Sequence, residues 1–399
     1  MEESPFTIPP GSPAHVSIID TGTTLKKIPA SMLLSPPMEC MPYLPDSPSY
    51  SFLIESRATG RKVVFDLGVR VDTGNYAPEV VKMLEAGKKK IGEARWEVEV
   101  SKGVAEVLRD GGVDVNGGEV EGIVWSHQHF DHIGDPSTFP PSTSLIVGPG
   151  FKEAVLPGYP EIQTSSILQS DYEYLPLAPA ALHPPLHPPQ INLQTNTPPR
   201  GRNLIELTFT GPSTTHIGRF AAHDYFSDGS FYLLNAPGHA PGHLCALART
   251  STNPDTFIFM GADAAHHAGE LRPSRYIPLP PELTLPPGGH RPDNDDNKTA
   301  AHQLAHLQIS RGREPGTPFF DPALNHDVVE GKRTIEKLQE ADVHERVLVV
   351  LAHDAGLRGV MDFFPERADE WWEKGWGRGK GMQGRWGFLK DFGVEVGGL

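Results

Sequence analysis

Three histidines and an aspartate fall within six positions of the stretch VWSHQHFDHIGD, residues 124–135. In an extended chain alternate side chains point the same way, so His127 and His129 could bind one cation from the same side. Asp131 and His132 are adjacent and diverge, which suits either a second cation nearby or one ligand role and one supporting role. Imidazole and carboxylate groups are ligands for zinc and similar divalent metals, and the stretch therefore predicts a metal site.

Further ligands for such a site occur in three later segments. His239 and His243 lie in NAPGHAPGH, Asp263 lies in MGADAAHH, and His353 lies in VLAHD. The two oxygens of Asp263 could bridge two cations. Each of these residues is a weak signal alone, but together they complete a ligand set of consistent chemistry.

The elements that must position these residues alternate between strands and helices. Apolar strands are predicted directly before the ligands, in EGIVWS, DTFIFMGAD and RVLVVLAHD. A single strand is expected over 15–25 and a hairpin over 49–56 and 61–69. Helical spacing of apolar residues predicts three helices, over 77–94, 100–113 and 328–341. This alternation, with polar residues at the strand ends, indicates an α/β fold whose site is built from loops.

The ordered series HxHxDH, followed by a histidine, an aspartate and a histidine, resembles the metallo-β-lactamase superfamily over about residues 50–360. The resemblance implies a four-layer αββα sandwich with two divalent metal ions per chain, Zn²⁺ being the expected metal. Carried over by position, it implies a first metal held by His127, His129 and His239, a second held by Asp131, His132 and His353, and Asp263 as the bridge.

The same resemblance implies roles for other residues around the metals. Asp66, in VVFDLG, would orient a ligand histidine, and His243 would pack beside the ligands or support them. Asp131 and His266 are the expected catalytic residues: Asp131 would orient the attacking hydroxide or pass a proton, and His266 would donate a hydrogen bond to the substrate. The segment PGHAPGH resembles lactonase and glyoxalase II-like members, and the tryptophan-rich C-terminal stretch resembles the tails of fungal members.

Composition along the chain predicts three parts. Residues 1–45 are expected to form an N-terminal arm and the first strand. Residues 46–362 are expected to form the metallo-β-lactamase domain, with proline-rich insertions at 155–203 and 272–298. Residues 363–399 are expected to form an extension that packs on this domain.

The function expected from the sequence is a metal-dependent hydrolase that uses a metal-bridged hydroxide to open a lactone or a related ester-like bond of a small metabolite. Four alternatives remain open: a thioesterase or glyoxalase II-like hydrolase, a lactam-opening detoxification enzyme, a metal-binding protein without turnover, and a mononuclear iron dioxygenase. Metal content and a panel of substrates would separate them.

Charge and composition limit the partners of the chain. The formal net charge of -15 disfavours nucleic acid, whose phosphates would be repelled. The apolar runs are too short to cross a bilayer, so we expect no membrane partner. Two cysteines and the lack of a recognisable signal peptide predict a reduced, cytoplasmic protein. A small-molecule substrate is expected, and a homodimer is compatible with the sequence.

Overall fold

The computed structural model describes residues 5–89, 96–173, 202–211, 214–280, 300–376 and 385–392. Its strands are β1 Ala14–Asp20, β2 Thr24–Lys26, β3 Leu34–Ser35, β4 Tyr50–Ser56, β5 Lys62–Phe65, β6 Glu97–Glu99, β7 Val120–Val124, β8 Ser144–Val147, β9 Leu204–Glu206, β10 Thr214–Ile217, β11 Phe220–Asp224, β12 Phe231–Asn235, β13 Leu244–Thr252, β14 Asp255–Ala262, β15 Asp321–Pro322 and β16 Val347–Leu351. Its α-helices are α1 Ala30–Leu33, α2 Pro78–Lys88, α3 Val104–Asp110, α4 Phe130–Ile133, α5 Phe151–Val155, α6 Gln169–Tyr172, α7 Ala300–Ser310 and α8 Val328–Asp342.

Two six-stranded sheets form the centre of the fold. The first has the order β1-β4-β5-β7-β8-β9 and the second has the order β10-β11-β12-β13-β14-β16. Alternate side chains of both sheets meet in one apolar core, where Phe52 and Phe65 of the first sheet join Leu233 and Met260 of the second. The two sheets therefore pack face to face and leave each outer face to be covered by helices.

Helices cover the outer faces because each has one apolar side. Leu84 of α2 and Leu108 of α3 are buried in a cluster with the outer residues of the first sheet. Leu338 of α8 is buried against the second sheet. Asp327 precedes α8 as its N-cap, and its carboxylate accepts the Glu330 N–H at 2.9 Å. The four layers are those of the expected αββα sandwich, and the α/β fold class is confirmed.

A fourth apolar cluster lies beside the sandwich and joins segments that are far apart in the chain. It contains residues of the 30–44 segment, the Phe319–Phe320 pair and side chains from 386–392 such as Trp386 and Phe388. A hydrogen bond from His267 Nε2 to the Asp391 carboxylate, 3.2 Å long, ties the C-terminal segment to the loop after β14. The N-terminal and C-terminal segments thus pack on each other as well as on the sandwich.

The expected elements differ from the structure in a few places. The strand expected over 15–25 is two strands: β1 belongs to the first large sheet, whereas β2 pairs with β6 in a separate sheet. The break lies at Gly22, which has φ +69° and donates its N–H to the Asp20 carboxylate at 2.9 Å in a local turn. The helix expected over 77–94 is α2, which ends at Lys88, and residues 90–94 of that expectation lie outside the described residues. Large parts of the two insertions lie outside the described residues. No helix in the described ranges is both long enough and apolar enough to span a bilayer.

Gly134 allows the histidine-rich loop to pack closely on the chain after β5. The Leu67 N–H donates to the His132 carbonyl at 2.8 Å, and the Gly134 N–H donates to the Gly68 carbonyl at 2.9 Å. Gly134 has φ +48°, and a Cβ added there would lie 2.4 Å from the Cβ of Leu67. Only glycine tolerates both conditions at this position.

The Gly134→Ala variant is therefore expected to lose about 2–5 kcal/mol of unfolding free energy, from the positive φ together with the steric contact. Gly60→Ala is the matched control, because Gly60 also has positive φ but an added Cβ would meet no atom within 4 Å. That variant should lose only about 1–2 kcal/mol. Urea denaturation of both variants measures the difference, and equal losses would show that the Leu67 contact costs nothing.

Candidate metal centre

The carboxyl ends of five strands meet at one edge of the sandwich. Strands β5 and β7 run parallel in the first sheet. In the second sheet β14 and β16 are parallel, and β12 and β14 are both antiparallel to β13. The residues that follow these strands are Asp66 after β5, the histidine-rich stretch after β7, His239 after β12, Asp263 after β14 and His353 after β16.

Three imidazoles form the first group of donor atoms. The Nε2 atom of His239 lies 3.1 Å from Nε2 of His127 and 3.0 Å from Nδ1 of His129. Ligand nitrogens around a tetrahedral zinc ion, with bonds of about 2.0–2.1 Å, are separated by about 3.3 Å. The three nitrogens therefore already lie at nearly the spacing that one shared cation requires.

Asp131, His132 and His353 form the second group, and Asp263 lies between the two groups. Its Oδ1 atom is 3.1 Å from His132 Nε2 and 3.0 Å from His353 Nε2. Its Oδ2 atom is 3.7 Å from His127 Nε2. One carboxylate oxygen thus faces each group, which is the arrangement that a bridging ligand needs.

The donor atoms are better arranged for binding cations than for hydrogen bonding with one another. His132 Nε2 and Asp263 Oδ1 are buried and close together, yet neither has a hydrogen-bond partner among the described residues. Buried polar atoms are rarely left in this state. Neutral imidazoles and carboxylates suit zinc or another borderline divalent metal, so the residues present fit two such ions.

The pKa values of these groups follow from burial and from their neighbours. Burial, together with the surrounding imidazoles, lowers the pKa of His127 and of His239 well below the ordinary value. Both rings therefore stay neutral, which is the form that binds a metal. Burial opposes the charged form of Asp263, but His132 and His353 outweigh it and hold the pKa of that carboxyl well below its usual range.

Asp66, supported by Ser126, fixes the orientation of the His132 ring. The Asp66 carboxylate lies 2.8 Å from His132 Nδ1 and accepts the Ser126 backbone N–H at 2.7 Å and the Ser126 hydroxyl at 2.8 Å. His132 therefore donates from Nδ1 and presents Nε2 to the centre. His353 is held in the same way, because its Nδ1 lies 2.7 Å from the Pro48 carbonyl, which it can only approach as a donor.

His243 and His266 lie next to the ligand groups but belong to neither. His243 is buried with Nδ1 2.8 Å from the Ala236 carbonyl, and its ring centroid is 5.3 Å from that of His127. The Nε2 atom of His266 is 3.5 Å from Asp263 Oδ2. Burial lowers the pKa of both side chains to about 4, so both are neutral at physiological pH.

A cavity of about 340 Å³ opens beside the donor atoms. Its described polar lining residues are Ser47, Gln128, His129, Asp131, Ser166, Asp263, His266 and His353. Its described apolar lining residues are Leu25, Ile28, Met32, Leu33, Leu44, Val80, Met83, Trp96, Phe130 and Leu324. No lysine or arginine is among them, and the volume is that of a small-metabolite site.

Some residues of this site were not singled out from the sequence. Asn325, whose Oδ1 lies 3.3 Å from His239 Nδ1, has no sequence signal. Five apolar residues of the cavity wall lie within 25–44, a segment that the sequence predicts to be part of an N-terminal arm and first strand, although its leucine, isoleucine and methionine content favours burial. Gln128 stands inside the histidine-rich stretch, but a search for ligand-type residues passes over an amide.

Comparisons with known proteins agree with this geometry. The family model described as the Metallo-beta-lactamase superfamily matches residues 44–248. Gamma-lactamase FDB1 of Fusarium pseudograminearum (strain CS3096) is 39% identical over 397 residues, which cover 97% of this chain and 85% of that protein. Metallo-hydrolase mfmC of Annulohypoxylon moriforme is 38% identical over 381 residues, which cover 94% of this chain and 87% of that protein.

A solved structure extends the similarity at the level of the fold. An AiiA variant of B. thuringiensis, with N-decanoyl-L-homoserine bound at its active site, aligns with a TM-score of 0.50 and 14% identity. The alignment covers 88% of this chain and 98% of that chain. At this low identity the likeness concerns the fold alone.

Proposed function

Since the chain belongs to the metallo-beta-lactamase superfamily and is a metal-dependent hydrolase, we propose that it opens the ring of a small, neutral, largely apolar lactone or γ-lactam. The observation that carries this proposal is the cavity beside the two donor groups. Its described walls are mainly apolar and carry no cationic side chain. A substrate therefore gains affinity by burying apolar surface, with its carbonyl group directed at the donor atoms.

The bond type is supported by chemistry and by a relative. Two divalent cations, when bound, would polarise a carbonyl oxygen and lower the pKa of water to near 7, which provides a hydroxide nucleophile at neutral pH. Lactones and ring amides both react with such a nucleophile. The printed name of the 39% identical relative, a gamma-lactamase, favours the γ-lactam as a candidate beside the lactone.

Some residues of the chain would bind the cations, and others would act on the nucleophile or the substrate. His127, His129 and His239 would hold one cation, Asp131, His132 and His353 would hold the other, and Asp263 would bridge them. Asp131 also lines the cavity, where it would orient the nucleophile or carry a proton to the leaving group. His266 lines the same cavity, where a ring N–H would donate to the oxyanion that forms from the substrate carbonyl.

The cavity lining argues against a thioesterase, and the number of donor residues argues against a mononuclear iron dioxygenase. Thioesters of glutathione carry carboxylates, and their recognition calls for cationic side chains that the described lining does not contain. A mononuclear iron dioxygenase would use fewer ligands than the two groups that lie together here.

The proposal is tested by the metal content and substrate range of the purified protein. We expect two equivalents of zinc per chain and hydrolysis of apolar lactones or activated γ-lactams, with no rate above background on glutathione thioesters. Dialysis against a chelator should remove the activity, and added zinc should restore it. One iron per chain with oxygen consumption, or hydrolysis confined to thioesters, would contradict the proposal.

A further inference from the structure

The ring of His266 lines the cavity, but its Nδ1 atom forms no hydrogen bond with any of the described residues. Nδ1 is buried, and Oε2 of Glu270 is 3.8 Å away from it, which is too far for a hydrogen bond. The Nε2 atom lies 3.5 Å from Oδ2 of Asp263 and so faces the ligand set. The position of this ring therefore depends on the backbone that carries it, residues 264–270, which we call the 264–270 loop.

Hydrogen bonds within the 264–270 loop hold its backbone in one turn. Oε2 of Glu270 accepts the backbone N–H of His266 at 2.6 Å and that of His267 at 3.1 Å. Nδ1 of His267 accepts the Gly269 N–H at 3.0 Å. Because a ring nitrogen that accepts a hydrogen bond carries no proton, the proton of His267 must be on Nε2.

That Nε2–H of His267 is directed at the C-terminal segment, residues 385–392. Nε2 lies 3.2 Å from Oδ2 of Asp391, and the two side chains are only 4% and 11% exposed. The ring of His267 also packs edge-on against Phe388, with the centroids 5.4 Å apart. A hydrogen bond to a carboxylate is stronger than one between neutral groups. The C-terminal segment thus anchors the 264–270 loop at the residue next to His266.

We propose that the C-terminal segment positions His266 for catalysis through the hydrogen bond between His267 and Asp391. The inference rests on the proposed function, because it acts through the hydrogen bond from His266 to the substrate oxyanion. His267 and Asp391 are positioning residues, since neither lines the cavity. A donor displaced by about 1 Å loses much of its effect on the rate, so an anchor outside the cavity can control the reaction.

The first test is Asp391→Ala on the zinc-supplied protein, with a lactone or γ-lactam that the wild type opens. The kcat value should fall by about 5- to 50-fold, because the donor acts on the oxyanion of the transition state. The KM value should stay within about twofold of wild type. Asp391→Asn keeps an oxygen that can accept from His267, so its kcat should stay within about threefold of wild type.

The second test asks whether the effect passes through the His266 ring. His266→Phe keeps a ring but removes both nitrogens, so it removes the donor itself. In that background Asp391→Ala should change kcat by less than about twofold, because there is no donor left to position. A role of Asp391 in general stability would lower kcat equally in both backgrounds.

The third test separates the anchor from the local turn. In His267→Asn the amide oxygen can replace Nδ1 as the acceptor for the Gly269 N–H, but the shorter side chain cannot reach Asp391. This variant should lose as much kcat as Asp391→Ala. The double variant with Asp391→Ala should be no slower than either single variant, because both remove one and the same bond.

Controls separate positioning from effects on the metals and on folding. Zinc per chain should equal that of wild type in every variant. His15→Ala removes another contact of this type, since His15 Nδ1 lies 2.6 Å from the Asp369 carboxylate and neither residue lines the cavity. It should leave kcat unchanged even where it lowers the unfolding temperature. Hydrogen–deuterium exchange of the 264–270 loop should be faster in Asp391→Ala, and that of residues 124–135 should not change.

The outcomes distinguish the inference from the proposed function. An unchanged kcat in Asp391→Ala, or an equal loss in the His266→Phe background, would overturn the inference and leave the proposed function standing. Unchanged exchange of the 264–270 loop in Asp391→Ala would overturn it without the use of any substrate. If the zinc-supplied wild type opened neither ring, the proposed function would fall and the inference with it.

Discussion

Replacing Asp263 by asparagine is expected to lower kcat/KM of the zinc-supplied protein by about 10³-fold or more. The Asp263 oxygens face both groups of donors, at 3.1 Å from His132 and 3.7 Å from His127. Asparagine removes the negative charge and replaces one of these oxygens with a hydrogen-bond donor, so one cation loses a ligand. Zinc per chain, measured by mass spectrometry together with the rate, should fall below two equivalents.

A surface substitution of the same kind provides the control. Asp110 lies at the exposed end of α3 and pairs with exposed Lys102, so Asp110→Asn should retain zinc and full rate. His127→Ala should act in the same direction as Asp263→Asn, because it removes a nitrogen from the first group. Full activity in either centre variant would show that the assigned site is not where hydrolysis takes place.

Asp66→Asn is expected to weaken zinc binding by about 10- to 100-fold, although Asp66 touches no cation in the proposed arrangement. The Asp66 carboxylate accepts from His132 Nδ1 and thereby directs His132 Nε2 towards Asp263. An asparagine amide can place a donor against that nitrogen and favour the wrong tautomer. Competition with a chromogenic chelator measures the affinity.

Ser126, which donates a hydrogen bond to Asp66, provides the matched comparison. Ser126→Ala removes one hydrogen bond to the carboxylate but leaves its contact with His132, so it should weaken zinc binding less than Asp66→Asn does. Excess zinc should restore much of the Asp66→Asn activity, which would not happen if the substitution had disrupted the fold. Equal zinc affinity in wild type and Asp66→Asn would contradict the orienting role.

The donor groups could be predicted because their residue types are rare and their order is distinctive. Histidines such as His127 and His353 directly follow apolar strands, and the carboxyl ends of parallel strands lie at one sheet edge. The α/β fold class was predictable from the alternation of strands and helices, whereas the four αββα layers were implied by the resemblance to the family. Such patterns can be recognised in the sequence because each depends only on residues that are close together in the chain.

The cavity could not be predicted, because contacts between distant segments define it. Helix α1 has four residues and shows no periodic pattern, yet its residues Met32 and Leu33 form part of the wall. Leu324 and Trp96 join that wall from elsewhere in the chain. The break at Gly22 could not be predicted for a different reason. Threonine and isoleucine residues on both sides of it have strand propensity, and only the turn at Asp20 separates the two strands.

The separate origins of cavity wall and donor atoms have a consequence for how such a protein can diverge. The donors follow the central strands, whereas much of the wall comes from residues 25–44, which are braced by a cluster outside the sandwich. Inherited changes in that segment can reshape what is admitted without displacing an imidazole or a carboxylate. Substrate preference can therefore evolve through substitutions in the cavity wall while the donor residues stay unchanged.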